Sequence, residues 1–238
     1  RYAEHRVVKA LGQKEVYYYQ GTKFIEEIEE KLNEQMKSFL ECAQVETRTV
    51  SGQMANTAVF SGIVRYLNRT DRKSEPARLR KVMNYHICNG GHLSAQPMGA
   101  LRDYIAIDPK TDKPAVVNFP VSNDNPYKID IQKTAELIER HEPVLIILGK
   151  SVILHPDPVM EIRKIADKLS EKPIIMYDMA HVFGLVGEYF QRPFKEGADI
   201  VTGSTHKTFF GPQRGVIAAD MDESSENYNL WEMICLLY

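Results

Sequence analysis

Apolar residues fall along this chain in two kinds of spacing. Between residues 21 and 40, Phe24, Ile25, Ile28, Leu32 and Met36 recur at three and four positions with Glu and Lys between them, which predicts an amphipathic helix. Residues 130–140 repeat the pattern with Ile131, Ala135 and Ile138 behind a capping Asp130, and residues 159–169 predict a further helix. Other segments are short and mainly apolar: 143–148, 173–177, 198–202 (which includes Asp199 and Thr202) and 215–219. Such runs suit strands covered on both faces, as in a parallel sheet. Residues 45–50 alternate and predict a strand, residues 54–60 begin a helix after Ser51 and Gly52, and residues 81–85 read as a short strand. Residues 1–20 show no clear period beyond a short extended piece at 16–19. The charged stretch 68–80, the segment 103–128 and residues 221–228 read as surface loops, turns and short strands. Strands and helices in alternation predict an α/β fold, a three-layer α/β/α domain around a mostly parallel central sheet.

Composition narrows the class of partner. The chain has 238 residues, 43% of them hydrophobic and 26% charged, with a formal net charge of −2. That is room for a sizeable core, with no basic field to argue for nucleic acid and no polybasic run to argue for a membrane. No apolar stretch has membrane-spanning length, and the start shows no signal-peptide pattern. Cys42, Cys88 and Cys235 are scattered and lack metal-ligand spacing, which fits thiols in a reducing compartment; the expected location is cytoplasmic.

The candidate chemistry sits where two apolar runs end. The run 173–177 delivers Asp178 and then His181; the run 198–202 delivers Gly203-Ser-Thr-His-Lys-Thr208 and then Gly211-Pro. In open α/β sheets ligands bind at such strand ends. A lysine held by tight turns beside a carboxylate from a neighbouring strand suits one chemistry in particular. Such a lysine, here Lys207, would form a Schiff base with an aldehyde cofactor, and the carboxylate, here Asp178, would keep the cofactor's pyridine nitrogen protonated. Taken singly, these residues read more readily as an exposed turn lysine and a capping aspartate; Asp178, His181, His206 and Lys207 together favour the cofactor. Ser51 and Gly52 before a helix make a phosphate-binding arrangement or simply a helix cap. Residues 89–92, Asn-Gly-Gly-His, form a flexible turn ending in the imidazole of His92. Gly149-Lys-Ser151 follows a strand but lacks the glycine spacing of a P-loop.

Asp178-Met-Ala-His181 and Thr205-His-Lys-Thr208 with Gly211-Pro resemble the cofactor-binding core of the serine (glycine) hydroxymethyltransferases. These are pyridoxal-phosphate enzymes of the aspartate-aminotransferase fold (fold type I). The resemblance extends over most of the chain through Tyr2-Ala-Glu4, Tyr18-Tyr19 with Gly21, Ser51-Gly-Gln-Met-Ala-Asn56, Gly90-Gly-His-Leu93 and Gly149-Lys-Ser151. It implies a transferase that acts on the Cα–Cβ bond of a 3-hydroxy amino acid and passes one carbon to tetrahydrofolate. It implies pyridoxal phosphate on Lys207, its phosphate at Ser51, Gly52 and Gln53, and its ring partnered by Asp178. His92 would stack on the ring, and His181, Ser151 and His206 would complete the cofactor site. Tyr2, Glu4 and Tyr19 would handle the amino-acid substrate, Glu4 and Tyr19 coming from the neighbouring subunit of a homodimer.

The resemblance also implies a division into an arm at 1–20 and a cofactor-binding large domain at 21–238. The small C-terminal domain, and the arginine that pairs with the substrate carboxylate, would lie beyond Tyr238. Three places depart from the family pattern: Ala95 where a second histidine is common, Phe209-Phe210 after the lysine, and the insertion-like 6–16 between Glu4 and Tyr19. The departures at Ala95 and Phe209-Phe210 leave room for a folate-independent threonine aldolase or transaldolase, the one at 6–16 bears on Glu4 and Tyr19, and a non-catalytic dimerising relative is the reading from another class.

Overall fold

The apolar runs become the middle of one sheet. The computed structural model describes residues 6–7, 16–17, 21–70, 76–225 and 227–235, the first two pairs by their backbone alone. In chain order, β1 (Arg6–Val7) pairs antiparallel with β2 (Val16–Tyr17); α1 (Lys23–Leu40) leads to β3 (Gln44–Glu46), and α2 (Gly52–Leu67) to β4 (Val82–Asn84). A small hairpin of β5 (Ile107–Asp108) and β6 (Lys113–Pro114) precedes β7 (Val116–Asn118). Then come α3 (Ile131–His141), β8 (Leu145–Leu148), α4 (Val159–Ala166), β9 (Ile174–Asp178), β10 (Ile200–Ser204), β11 (Gly215–Ala219) and α5 (Tyr228–Cys235).

Seven strands form the main sheet in the order β3-β11-β10-β9-β8-β4-β7. Only β11 runs against its neighbours; the other pairs are parallel. Side chains alternate between the two faces of each strand. Ile146, Leu148, Ile175, Tyr177 and Val201 pack with Met36, Leu40, Ile138, Val159 and Ile162 from α1, α3 and α4. Leu145, Ile147, Met176, Ile200 and Ile217 pack with Val59, Ile63, Leu230, Trp231 and Ile234 from α2 and α5. Helices thus cover both faces, and the α/β/α architecture read from the pattern is the one observed.

One local expectation changes, and two segments gain definition. The periodic stripe of α1 is only partly a core face: Met36 and Leu40 are buried, but Phe24, Ile28 and Leu32 are 73%, 53% and 40% exposed. An 18-residue helix is about 27 Å long, whereas the three-residue strand β3 beside it spans about 10 Å, so the first turns outrun the sheet. Residues 116–118, in a segment read as surface strands and turns, form β7, pairing parallel with β4 at the sheet's edge. Helix α5 lies so closely on α2 that a Cβ at Gly62 would stand 2.5 Å from Ile234.

The turn after β8 is tight for a definite reason. Gly149 has φ +104°, and a Cβ there would stand 1.9 Å from the carbonyl oxygen of Asp178. Gly149→Ala therefore combines left-handed strain with a backbone clash. It is expected to lower stability by about 3 kcal/mol, read from the urea midpoint at unchanged m.

Candidate active site

The C-terminal ends of the parallel strands bring the reactive groups together. Asp178 closes β9, lies only 2% exposed, and stands in register with Thr202 of β10. Its Oδ2 accepts from His92 Nδ1 at 2.5 Å and from Asn56 Nδ2 at 2.8 Å, and its Oδ1 accepts from the Ala180 N–H at 3.1 Å. Burial by itself would push this carboxyl up. The hydrogen bond and charge of His92, with the Asn56 and Ala180 donors, outweigh it and hold Asp178 below the ordinary carboxylate range.

Lys207 sits in the turn after β10. Its Nζ is 3.2 Å from His181 Nε2, and the His181 ring meets the His92 ring edge-on at 5.2 Å between centroids. Asp178, His92, His181 and Lys207 thus form one continuous row across the ends of β9 and β10. Burial makes the Lys207 amine less basic than a free lysine, with the Asp178 charge opposing that shift. Burial, then the Lys207 charge, then His92, push His181 down to about 4. A neutral His181 accepts at Nε2 from the Lys207 ammonium, which has protons to give and no lone pair.

The titration of His181 has a sign. Its folded value of about 4 lies below the roughly 6.5 of an unfolded histidine. The stability linked to the neutral ring is therefore complete above about pH 6.5 and is lost as pH falls toward 4. We expect the His181 ring NMR signals to stay flat from pH 8 to 5. Lys207→Met, by removing the neighbouring charge, should move their midpoint upward.

The turn carrying Lys207 is pinned from behind. Thr208 Oγ1 donates to the His181 carbonyl and accepts from the Gly184 N–H. The Phe209 ring packs against Phe39 and Phe183 at 5.6 and 5.3 Å between centroids. One of the departures from the resembled pattern, Phe209, is thus an anchor for the lysine turn, while Phe210 projects outward with φ +59°.

At the start of α2, Ser51 caps the helix: its Oγ accepts from the Met54 N–H at 3.1 Å. The Gly52 and Gln53 N–H groups meet no acceptor among the described residues, which leaves the positive end of a 16-residue helix open to an anion. The backbone there is close to β10, since a Cβ on Gly52 would stand 2.2 Å from Ser204 Oγ.

Ser151 is exposed; its N–H donates to the Gly90 carbonyl at 2.7 Å, so it borders the turn that carries His92. His206 is exposed beside Lys207. Tyr2, Glu4 and Tyr19 lie outside the described residues. The sequence reading missed Lys150, whose buried Nζ reaches Asp157 Oδ1 at 3.2 Å and the Tyr127 carbonyl at 3.0 Å. Asp157 also accepts from the Tyr85 hydroxyl and the Gly149 N–H, tying the loop after β8 to the sheet. Asn56 and Thr202 were likewise given no role. Asn56 stood in a quoted motif, but its spacing gives no sign of the carboxylate it meets 122 positions later.

Residues 9–230 match the family model "Serine hydroxymethyltransferase". Proteins named serine hydroxymethyltransferase are similar over most of the chain. That of Archaeoglobus fulgidus is 38% identical over 222 residues, covering 92% of this chain and 43% of the relative. That of Korarchaeum cryptofilum is 36% identical over 214 residues (89% and 46%), and that of Pyrobaculum aerophilum 37% over 211 residues (88% and 44%). The chain thus spans less than half of the length of these relatives.

Proposed function

Because the chain belongs to the serine hydroxymethyltransferase family, we propose that it forms the cofactor-binding part of a pyridoxal-phosphate enzyme moving the hydroxymethyl carbon of serine to tetrahydrofolate. The row from Asp178 through His92 and His181 to Lys207 is the observation that carries this reading. The residues fit the cofactor: a buried ionised carboxylate, an amine of lowered basicity, and an open helix start whose first residue, Gly52, lies close against Ser204. Its relatives' shared name favours this reaction over a threonine aldolase or a non-catalytic role.

Pyridoxal phosphate, when bound, supplies a conjugated ring that takes up the electron pair freed at the substrate's Cα. Asp178 holds a proton at the pyridine nitrogen and so keeps that ring electron-poor. Lys207 Nζ is the amine that holds the aldehyde carbon, and His181 Nε2 receives its hydrogen bond and orients it. Ser51, Gly52 and Gln53 hold the phosphate at the start of α2. His92 covers a ring face, and His181, Ser151 and His206 line the remaining edge. Tyr2, Glu4 and Tyr19 position the amino-acid substrate and move protons at its hydroxyl, Glu4 and Tyr19 reaching across a homodimer from the neighbouring subunit. Residues 21–238 act as the large domain and 1–20 as an arm. No described helix is long and apolar enough to cross a membrane; a cytoplasmic location is part of the proposal.

The test is direct. The protein is titrated with pyridoxal phosphate while its absorbance is followed, then given serine with and without tetrahydrofolate, and threonine alone. Cofactor uptake with folate-dependent turnover of serine is expected. A folded protein that takes up no cofactor overturns the reading, and turnover of threonine alone replaces the folate-dependent reaction with aldol cleavage.

A further inference from the structure

We propose that Asn56, with Thr202 and Ser94 around it, is the positioning residue of Asp178, fixing how the carboxylate faces the cofactor ring. This rests on the reading of Asp178 as the partner of the ring nitrogen. Asn56 lies on α2, 0% exposed, and reaches through the sheet's end to three groups. Its Nδ2 donates to Asp178 Oδ2 at 2.8 Å and to Ser94 Oγ at 2.6 Å, while its Oδ1 accepts from Thr202 Oγ1 at 2.7 Å. The amide has one tenable orientation. Turned over, it would set its carbonyl oxygen against the Asp178 carboxylate. The Thr202 hydroxyl, donating to the Asn56 oxygen, secures that orientation from β10, the strand that also delivers Lys207. One carboxylate oxygen is thereby tied to α2 and the other to the backbone at Ala180, so the carboxylate plane is fixed from both sides.

Asn56→Ala removes the donor; Thr202→Val keeps the volume and removes only the lock on the amide. Pyridoxal-phosphate affinity should fall about tenfold or more in Asn56→Ala and less in Thr202→Val, the scale of one hydrogen bond to a charged group. A second readout needs no cofactor. Asp178 titrates below its unfolded value, so its contribution to stability is present above that value and lost as pH falls through the folded one. Losing the donor should therefore move the acid limb of thermal unfolding to higher pH. The other groups facing Asp178 are His92 from the loop after β4, His181 and Tyr177 on the β9 side and Lys207 after β10; they are common to wild type and variants, so the difference reads the Asn56 contact.

Both shifts together support the proposal. A wild-type acid limb, or a shifted limb with unchanged cofactor affinity, overturns it. If Asn56→Ala does not fold, Thr202→Val decides by the same readouts. Wild-type protein that takes up no cofactor removes the functional reading and this proposal with it; uptake that the variants leave unchanged removes the proposal alone.

Discussion

Lys207→Ala is expected to lower kcat/KM for serine by roughly a thousandfold or more, a loss of about 4 kcal/mol of transition-state stabilisation. The amine is the group on which the proposed chemistry depends, and no neighbour can replace it. His181, held neutral beside it, is an imidazole with no primary amine to form a Schiff base, and among the described residues no other lysine belongs to the row from Asp178. The fold should survive, because Lys207 is only half-buried and its turn is held by Thr208 and Phe209 rather than by its own ammonium. A stability change within about 1 kcal/mol is expected, as for a surface substitution. Kinetics and absorbance of the cofactor-loaded protein check the first part and urea unfolding the second. Activity within tenfold of wild type would remove Lys207 from the centre of the mechanism.

Asp178→Asn should separate charge from shape. The variant keeps the side chain's size but can present an acceptor on only one side. If its oxygen faces Asn56 and His92, its NH2 opposes the Ala180 N–H; if it turns, donors oppose donors at Asn56. A stability cost of about 1–3 kcal/mol follows from one buried group left unpaired. Turnover should fall further, by roughly a hundredfold or more, because a neutral amide does not hold a proton on the ring nitrogen. The part of the acid-side stability loss that belongs to Asp178 should disappear, since the variant has no carboxyl to titrate there. A variant as unstable as predicted but fully active would leave Asp178 a structural role only.

The architecture was legible because burial writes itself into the sequence. Strands covered on both faces must be largely apolar, and β8, β11 and the first residues of β9 and β10 are; helices covered on one face must repeat at three and four, and α3 and α4 do. Where the pattern misled, a neighbour's length was the cause: α1 carries an apolar stripe past the end of the strand it covers, and no local spacing records how long β3 is. The ends of two apolar runs also placed Asp178 and Lys207, because the chain order of strand, turn and reactive group is itself sequence.

The sequence by itself determined the order of strands β8 to β11 and helices α1 to α4 along the chain, the family and the two residues on which the proposed chemistry turns. Tertiary structure alone decided that Asn56 and His92 converge on one carboxylate, that Lys150 turns inward to Asp157 while Ser151 turns out, and that Phe209 anchors the lysine turn. Those contacts join residues far apart in the chain, and a hydrogen bond depends on positions in space that residue spacing does not encode.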